Sequence, residues 1–162
     1  MNIYEFLDHN QIEYQRFDHP AVFTCEEAAQ LVPEMLGIKS KNLFVRDRRG
    51  KRHILLIVPA YKTVDLKATS KALGVSGLGF ASPERLMKHL GVEAGSVSFL
   101  SIFNNIEGTV EVVFDQTVWD SEHFQCHPLV NTSTLLIPHA DVVKILERTK
   151  HPYHIIDVPQ RI

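Results

Sequence analysis

KNLFVRDRRGKRHILLIVP, residues 41–59, decides the fold class. Two apolar runs, 41–47 and 52–59, flank the charged glycine turn Arg48-Arg49-Gly50-Lys51. That pattern predicts a β-hairpin. Downstream, DLKATSKAL (65–73) reads as an amphipathic helix opened by Asp65 and closed by Gly74. Ser82-Pro83-Glu84 opens another helix with a cap and a first-turn proline, and Gly91 closes it. Strands are expected near 98–103 and 109–114, joined by the turn 104–108. A strand near 133–137, a helix over 139–149 and a strand near 153–158 follow. Upstream, Asn2 can cap a short helix through His9, and IEYQRF (12–17) reads as a strand. Thr24 and Glu27 form a capping box for the helix EEAAQLV, which Pro33 stops. Hairpins and helices alternate without a regular βαβ rhythm, so the expected class is α+β with a mixed sheet rather than a doubly wound parallel one.

The 162 residues fit one domain, 1–162. Hydrophobic residues at 44% and charged residues at 22% give a globular profile. Cys25 and Cys126 have no ligand or disulfide spacing, which suggests a reducing compartment. MNIYEFLDHNQ carries acids and no apolar segment, unlike a signal peptide. No apolar run reaches membrane-spanning length, so no membrane is expected and the location expected is cytoplasmic. A net charge of −2 argues against a general nucleic-acid binder but leaves room for a local basic face.

Few stretches carry recognisable chemistry. The glycines of GVSGLG (74–79) lack the P-loop lysine and the dinucleotide spacing, and there is no nucleophile elbow. His123-Phe124-Gln125-Cys126-His127 has residue types that suit zinc. Pro128 disfavours an unbroken helix through His127, so the plainer reading is a helix end running into a loop, and no metal is expected. Lys41 starts an apolar strand next to Asn42, where a long cation can lean into a cleft; alone it reads as a solvated strand-end lysine. His19-Pro20 and His127-Pro128 each hold an extended residue before proline, which can fix an imidazole at a loop. Asn131-Thr132-Ser133-Thr134 supplies amide and hydroxyl groups ahead of a strand, or simply a turn.

Several segments in order resemble a known family: KNLFVRD (41–47), VDLKA (64–68), LGV (90–92) with GSVS (95–98), and HPLVNT (127–132). They are similar to the YbaK-like aminoacyl-tRNA editing family, whose fold also forms the editing domain inserted in bacterial prolyl-tRNA synthetases. With HPAVFT (19–24), the nearest branch is the stand-alone ProX or PrdX type, which clears alanine from tRNA for proline. The resemblance implies a mixed sheet with surrounding helices, a cleft on one side and no cofactor. It implies hydrolysis of a mischarged aminoacyl-tRNA, with the aminoacylated acceptor end as partner and prolyl-tRNA synthetase as a further one. By position, Lys41 is the catalytic or phosphate-anchoring cation and Asn42 lies beside it. Gly95, Ser96, Val97 and Ser98 match a loop that meets the aminoacyl group; His127, Asn131 and Thr132 match a loop closing the pocket; Val22, Phe23 and Thr24 match the pocket mouth. The chemistry implied is positioning of water and substrate, with the tRNA's own ribose hydroxyl assisting, rather than a strong nucleophile.

One departure stands out. Relatives carry proline where this chain has Phe99. If Phe99 lines the pocket, Phe99→Pro shifts the preference among small aminoacyl groups; if it is a core residue of a strand 99–103, relative rates stay equal. Serine or cysteine as the removed residue, or a silent tRNA-binding module, are the competing readings. Lys62, Lys67 and Lys71 join Lys41 as candidate phosphate contacts, each equally readable as a solvated charge.

Overall fold

The computed structural model describes residues 1–20 and 37–162. The Thr24/Glu27 capping box, the helix after it, the Pro33 stop and Cys25 lie outside the described residues.

The hairpin forms as the sequence requires. Strand β2 (Ser40–Asp47) pairs antiparallel with β3 (His53–Pro59), Lys41 opposite Val58 and Arg46 opposite His53. Asp47 closes the turn: its carboxylate accepts the N–H groups of Lys51 at 2.8 Å and Arg52 at 3.1 Å. Backbone donors, that of Arg52 foremost, hold its pKa below the usual carboxylate value. Gly50 takes the left-handed conformation of the turn, φ 68°.

The caps also stand where the residues place them. Helix α1 (Ile3–His9) begins with the Asn2 side chain accepting the Glu5 N–H at 2.9 Å. Strand β1 (Gln15–Asp18) follows, later than the 12–17 expected. Helix α2 (Leu66–Leu73) runs from its Asp65 cap to left-handed Gly74, and α3 (Pro83–Leu90) from its Ser82 cap to left-handed Gly91. Between them, β4 (Leu78–Phe80) adds to the free edge of β2.

Residues 98–103 are not a strand. Phe99–Asn104 form a 3-10 turn. The Ser98 hydroxyl accepts the Leu100 N–H at 3.2 Å, while the Ser101 hydroxyl accepts the Ser98 N–H at 3.1 Å. This reciprocal cap captures an apolar run that has no period of its own to separate strand from helix. Strand β5 (Val110–Asp115) then leads into the one-turn helix α4 (Gln116–Trp119). Residues 123–126, expected to end a surface helix, form strand β6 (His123–Cys126). Phe124 and Cys126 are buried, so the two-residue period of a strand decides the segment. Strand β7 (Ser133–Pro138), helix α5 (His139–Thr149) and strand β8 (Tyr153–Ile156) complete the order.

Two sheets result: a five-stranded mixed sheet ordered β4-β2-β3-β5-β8 and an antiparallel three-stranded one ordered β1-β7-β6. β3 pairs antiparallel with β2 and parallel with β5, and every one of its residues is buried, which accounts for its continuous apolar run. Alternation along β2 and β3 divides the core. Phe44, Leu55 and Ile57 enter the larger cluster, shared with α1, α3, α5 and the small sheet. Val45, Ile54, Leu56 and Val58 enter a smaller cluster covered by Val64, Leu66 and Val158. The α+β mixed-sheet class expected from the sequence is the one observed. Among the described residues, no helix is long and apolar enough to cross a membrane.

Candidate active site

Ile38 forms a parallel bridge to Phe124, linking the two sheets just before β2. The chain leaves this bridge in the same direction on both sides, which carries Lys41-Asn42 and Cys126-His127 toward the same end of the sheets. Alternation then separates the first pair: Lys41 shares a face with Leu43 and Val45, whereas Asn42 shares one with Phe44 and the larger core. The Asn42 Oδ1 is buried and has no hydrogen-bond partner among the described residues. A buried acceptor left without a donor costs about 1–3 kcal/mol.

At that end two histidines meet. Strand β1 pairs with β7, Asp18 opposite Ser133, and the pairing continues as the His19 N–H donates to the Thr132 carbonyl at 2.9 Å. The His19 ring contacts the Pro20 carbonyl through Nδ1 at 2.9 Å and Thr134 Oγ1 through Nε2 at 2.8 Å. Since a carbonyl only accepts, Nδ1 carries the proton and the threonine hydroxyl donates to Nε2. His127 follows the same logic: Nδ1 donates to the Ser133 carbonyl at 3.1 Å, leaving the Nε2 lone pair available. The two rings stand edge to face with centroids 6.5 Å apart. Burial, with some repulsion from His19, depresses the His127 pKa, so its imidazole is neutral near pH 7. Ser133 Oγ donates to Asp18 at 2.6 Å and, with Arg16, keeps that carboxylate ionised. The return to β7 passes through left-handed Leu129, φ 67°, with Asn131 half-buried and Thr132 exposed.

The loop at 95–98 is graded. Gly95 is exposed, Ser96 and Val97 are half-buried, and Ser98 is wholly enclosed, with its hydroxyl in the cap of the following turn. Phe99 is 3% exposed and packs against Phe114, ring centroids 5.8 Å apart. It is therefore a core residue, though in a 3-10 turn and not in a strand. Val22, Phe23 and Thr24 lie outside the described residues.

Lys41 lines a cleft of about 440 Å³ with Leu43, Leu66, Phe80 and Arg161. Phe80 and Arg161 carried no signal in the sequence, because neither belongs to a motif and Arg161 sits in the last two residues. Lys62 is different from what its charge suggested. It is 7% exposed, with Nζ 2.6 Å from Asp115 and 3.3 Å from Asp157, and it donates to the Val158 carbonyl at 2.8 Å. Its role is to tie β5 to the segment after β8, so it is not a phosphate contact. His123 lies on β6 with its side chain half-buried, so no helix pairs it with His127 at a four-residue interval.

Comparison with known proteins agrees with this architecture. The model of the aminoacyl-tRNA editing domain matches residues 19–145. The chain is 32% identical to the prolyl-tRNA editing protein ProX of Acetoanaerobium sticklandii, over 94% of this chain and 93% of that one. It is 36% identical to the prolyl-tRNA synthetase associated domain-containing protein 1 of Danio rerio, over 91% of this chain and 80% of that one. A crystal structure described as a candidate trans-editing enzyme for prolyl tRNA synthetase shares the fold, with a TM-score of 0.71 at 18% identity, covering 96% of this chain and 92% of that one. The match runs from His19 into helix α5 and so covers most of the chain, and on that ground the chain belongs to the aminoacyl-tRNA editing domain family.

Proposed function

We propose that this protein hydrolyses the ester of a mischarged tRNA, with alanine on the tRNA for proline as its substrate. The observation that carries the reading is the near full-length likeness to ProX, a prolyl-tRNA editing protein. The geometry suits it. Attack of water on the ester carbonyl puts a negative charge on oxygen beside the phosphate of the terminal nucleotide. A cation at Lys41 holds that phosphate, and pointed backbone N–H groups stabilise the oxyanion. Asn42 Oδ1 offers a buried acceptor to a substrate N–H or hydroxyl, such as the α-ammonium of the amino acid. His127 Nε2, aimed by the bond from Nδ1 to Ser133, offers a second acceptor to the attacking water or the ribose hydroxyl. Gly95, Ser96, Val97, Asn131 and Thr132 border the aminoacyl group in this reading, with Ser98 behind them. The aminoacylated acceptor end is the partner, and prolyl-tRNA synthetase is the source of the mischarged product.

Single-turnover hydrolysis of alanyl-, seryl-, cysteinyl- and prolyl-tRNA for proline tests the reading. Fast loss of alanine with prolyl-tRNA spared is the expected result. Equal rates for all four would remove the editing assignment, because one methylene is worth only about 1–3 kcal/mol and selectivity has to be visible at that scale.

A further inference from the structure

Beyond Lys41 itself, the cleft on the Lys41 face of β2 has a composition that the ester chemistry does not use. Its floor is apolar, made by Leu43, Val64 and Leu66. One wall is Phe80, at the end of edge strand β4. Its partner in the register is Val45, and residues directly opposite in a sheet project to the same side, so Phe80 stands on the Lys41 face. Phe80 is 63% exposed, a large apolar ring at an open sheet edge. The other wall is the C-terminal tail, held by two backbone hydrogen bonds that form the antiparallel bridge of Val64 to Gln160: Asp65 N–H to the Pro159 carbonyl at 2.9 Å and Arg161 N–H to the Thr63 carbonyl at 2.8 Å. This pairing makes Arg161 part of the lining of the cleft that Lys41 also lines. Asp65 Oδ1 is engaged in the α2 cap, which takes up part of the negative charge that borders the two cations.

An exposed aromatic face, an apolar floor and two flanking cations are complementary to one ligand chemistry: an unpaired nucleobase with its phosphates. Bases stack on aromatic rings whatever their identity, and cations follow the backbone. A cleft of about 440 Å³ lies within the range of about 300–1,000 Å³ typical of small-ligand sites. We propose that this cleft is a nucleotide subsite, in which Phe80 stacks a base of the single-stranded 3′ end of tRNA while Lys41 and Arg161 hold the adjoining phosphates. The inference rests on the editing reading only for which single strand arrives; the recognition chemistry stands on the cleft itself.

The test uses the intact protein and the unacylated trinucleotide 5′-CCA-3′, followed by calorimetry. Phe80→Ala is expected to weaken binding about tenfold, as loss of one base stack does. Phe80→Tyr keeps an aromatic face and retains binding, whereas Phe80→Leu keeps apolar bulk and does not. Arg161→Ala is expected to lower the magnitude of the slope of log K against log salt by about 0.7, the contribution of one phosphate contact on a single strand. Phe80 is exposed, so these variants fold. Wild-type affinity in Phe80→Ala, or full binding in Phe80→Leu, overturns the subsite. Deacylation assays separate the two proposals. Active enzyme with trinucleotide binding indifferent to Phe80 and Arg161 sinks the subsite and leaves editing standing. Phe80-dependent binding in a protein that deacylates no tRNA sinks editing and leaves the subsite.

Discussion

The ring of His19 stands edge to face with that of His127, at a centroid distance of 6.5 Å and an interplanar angle of 73°, across 108 residues of chain. Thr134 fixes the first ring and the Ser133 carbonyl fixes the second, so neighbouring residues of β7 orient both. This contact predicts that the two histidines act as one unit. His127→Ala is expected to lower kcat/KM for deacylation at least tenfold, and His19→Ala to lower it less. The double variant should be no worse than His127→Ala alone, since coupled groups are non-additive. Rates that multiply across the two variants would show the rings to be independent.

Lys62 sits in a buried ion pair rather than on a tRNA-facing surface. Removing one partner of such a pair leaves an uncompensated charge and costs about 3–5 kcal/mol. Lys62→Met should therefore lower the urea midpoint strongly, and Lys62→Met with Asp115→Asn should cost less than the sum of the single changes. The salt dependence of tRNA binding should not move. A stable Lys62→Met protein with a shallower salt slope would return Lys62 to the phosphate contacts.

Phe99 occupies the first position of the 3-10 turn capped by Ser98. Proline is suited to the first position of a helical turn, so the substitution Phe99→Pro leaves the turn itself intact. Phe99→Pro is expected to lower stability by about 2–4 kcal/mol through loss of the buried ring. Relative rates for alanyl, seryl and cysteinyl esters should be unchanged. A changed order of preference would place the ring in the pocket after all.

His53 gives the fold an acid-sensitive point. It is buried, its ring centroid is 3.9 Å from that of His89, and Arg85 donates to its Nε2 at 2.9 Å. Burial first, then His89, Arg85 and Lys88, push its pKa down to about 4, opposed by Asp47. An unfolded histidine titrates near 6.5, so between about pH 6.5 and 4 the unfolded chain binds the proton that the folded one refuses. Stability contributed by this site is complete above the upper value and is lost as pH falls through the lower one. Urea unfolding from pH 7.5 to 4.5 should show that decline, and His53→Phe should flatten it. An unchanged acid limb in the variant would assign the decline elsewhere.

Local signals were legible in the sequence and long-range ones were not. Asn2, Asp65, Ser82, Gly74 and Gly91 mark helix ends by chemistry within four residues, and all five do so in the structure. The hairpin at 41–59 was equally readable, because its register follows from the turn. Residues 98–103 misled because Ser98, Ser101 and an apolar run buried from Phe99 through Ile102 present no period. The segment 123–126 drew attention to its metal-like side chains, while the alternation of Phe124 and Cys126, which makes it a strand, is only four residues long. Lys62 could not be separated from a solvated lysine, since Asp115 lies 53 residues away and Asp157 95. Both His-Pro steps were visible, but their meeting depends on the pairing of β1 with β7. Lys41, Asn42 and the 127–132 loop rested on resemblance; the structure adds that Lys41 and Asn42 occupy opposite faces of β2 and that His127 meets His19.

Lys41 is the residue on which the proposed hydrolysis of the aminoacyl ester depends. Single-turnover hydrolysis of alanyl-tRNA for proline, comparing wild type with Lys41→Ala under the same salt, tests it most directly. Lys41 is half-buried on a solvent-facing cleft, so circular dichroism should show an unchanged fold. Loss of one charge-assisted contact costs roughly 1.5–3 kcal/mol, which predicts a rate at least tenfold lower. A Lys41→Ala protein that releases alanine as fast as wild type would remove Lys41 from the reaction.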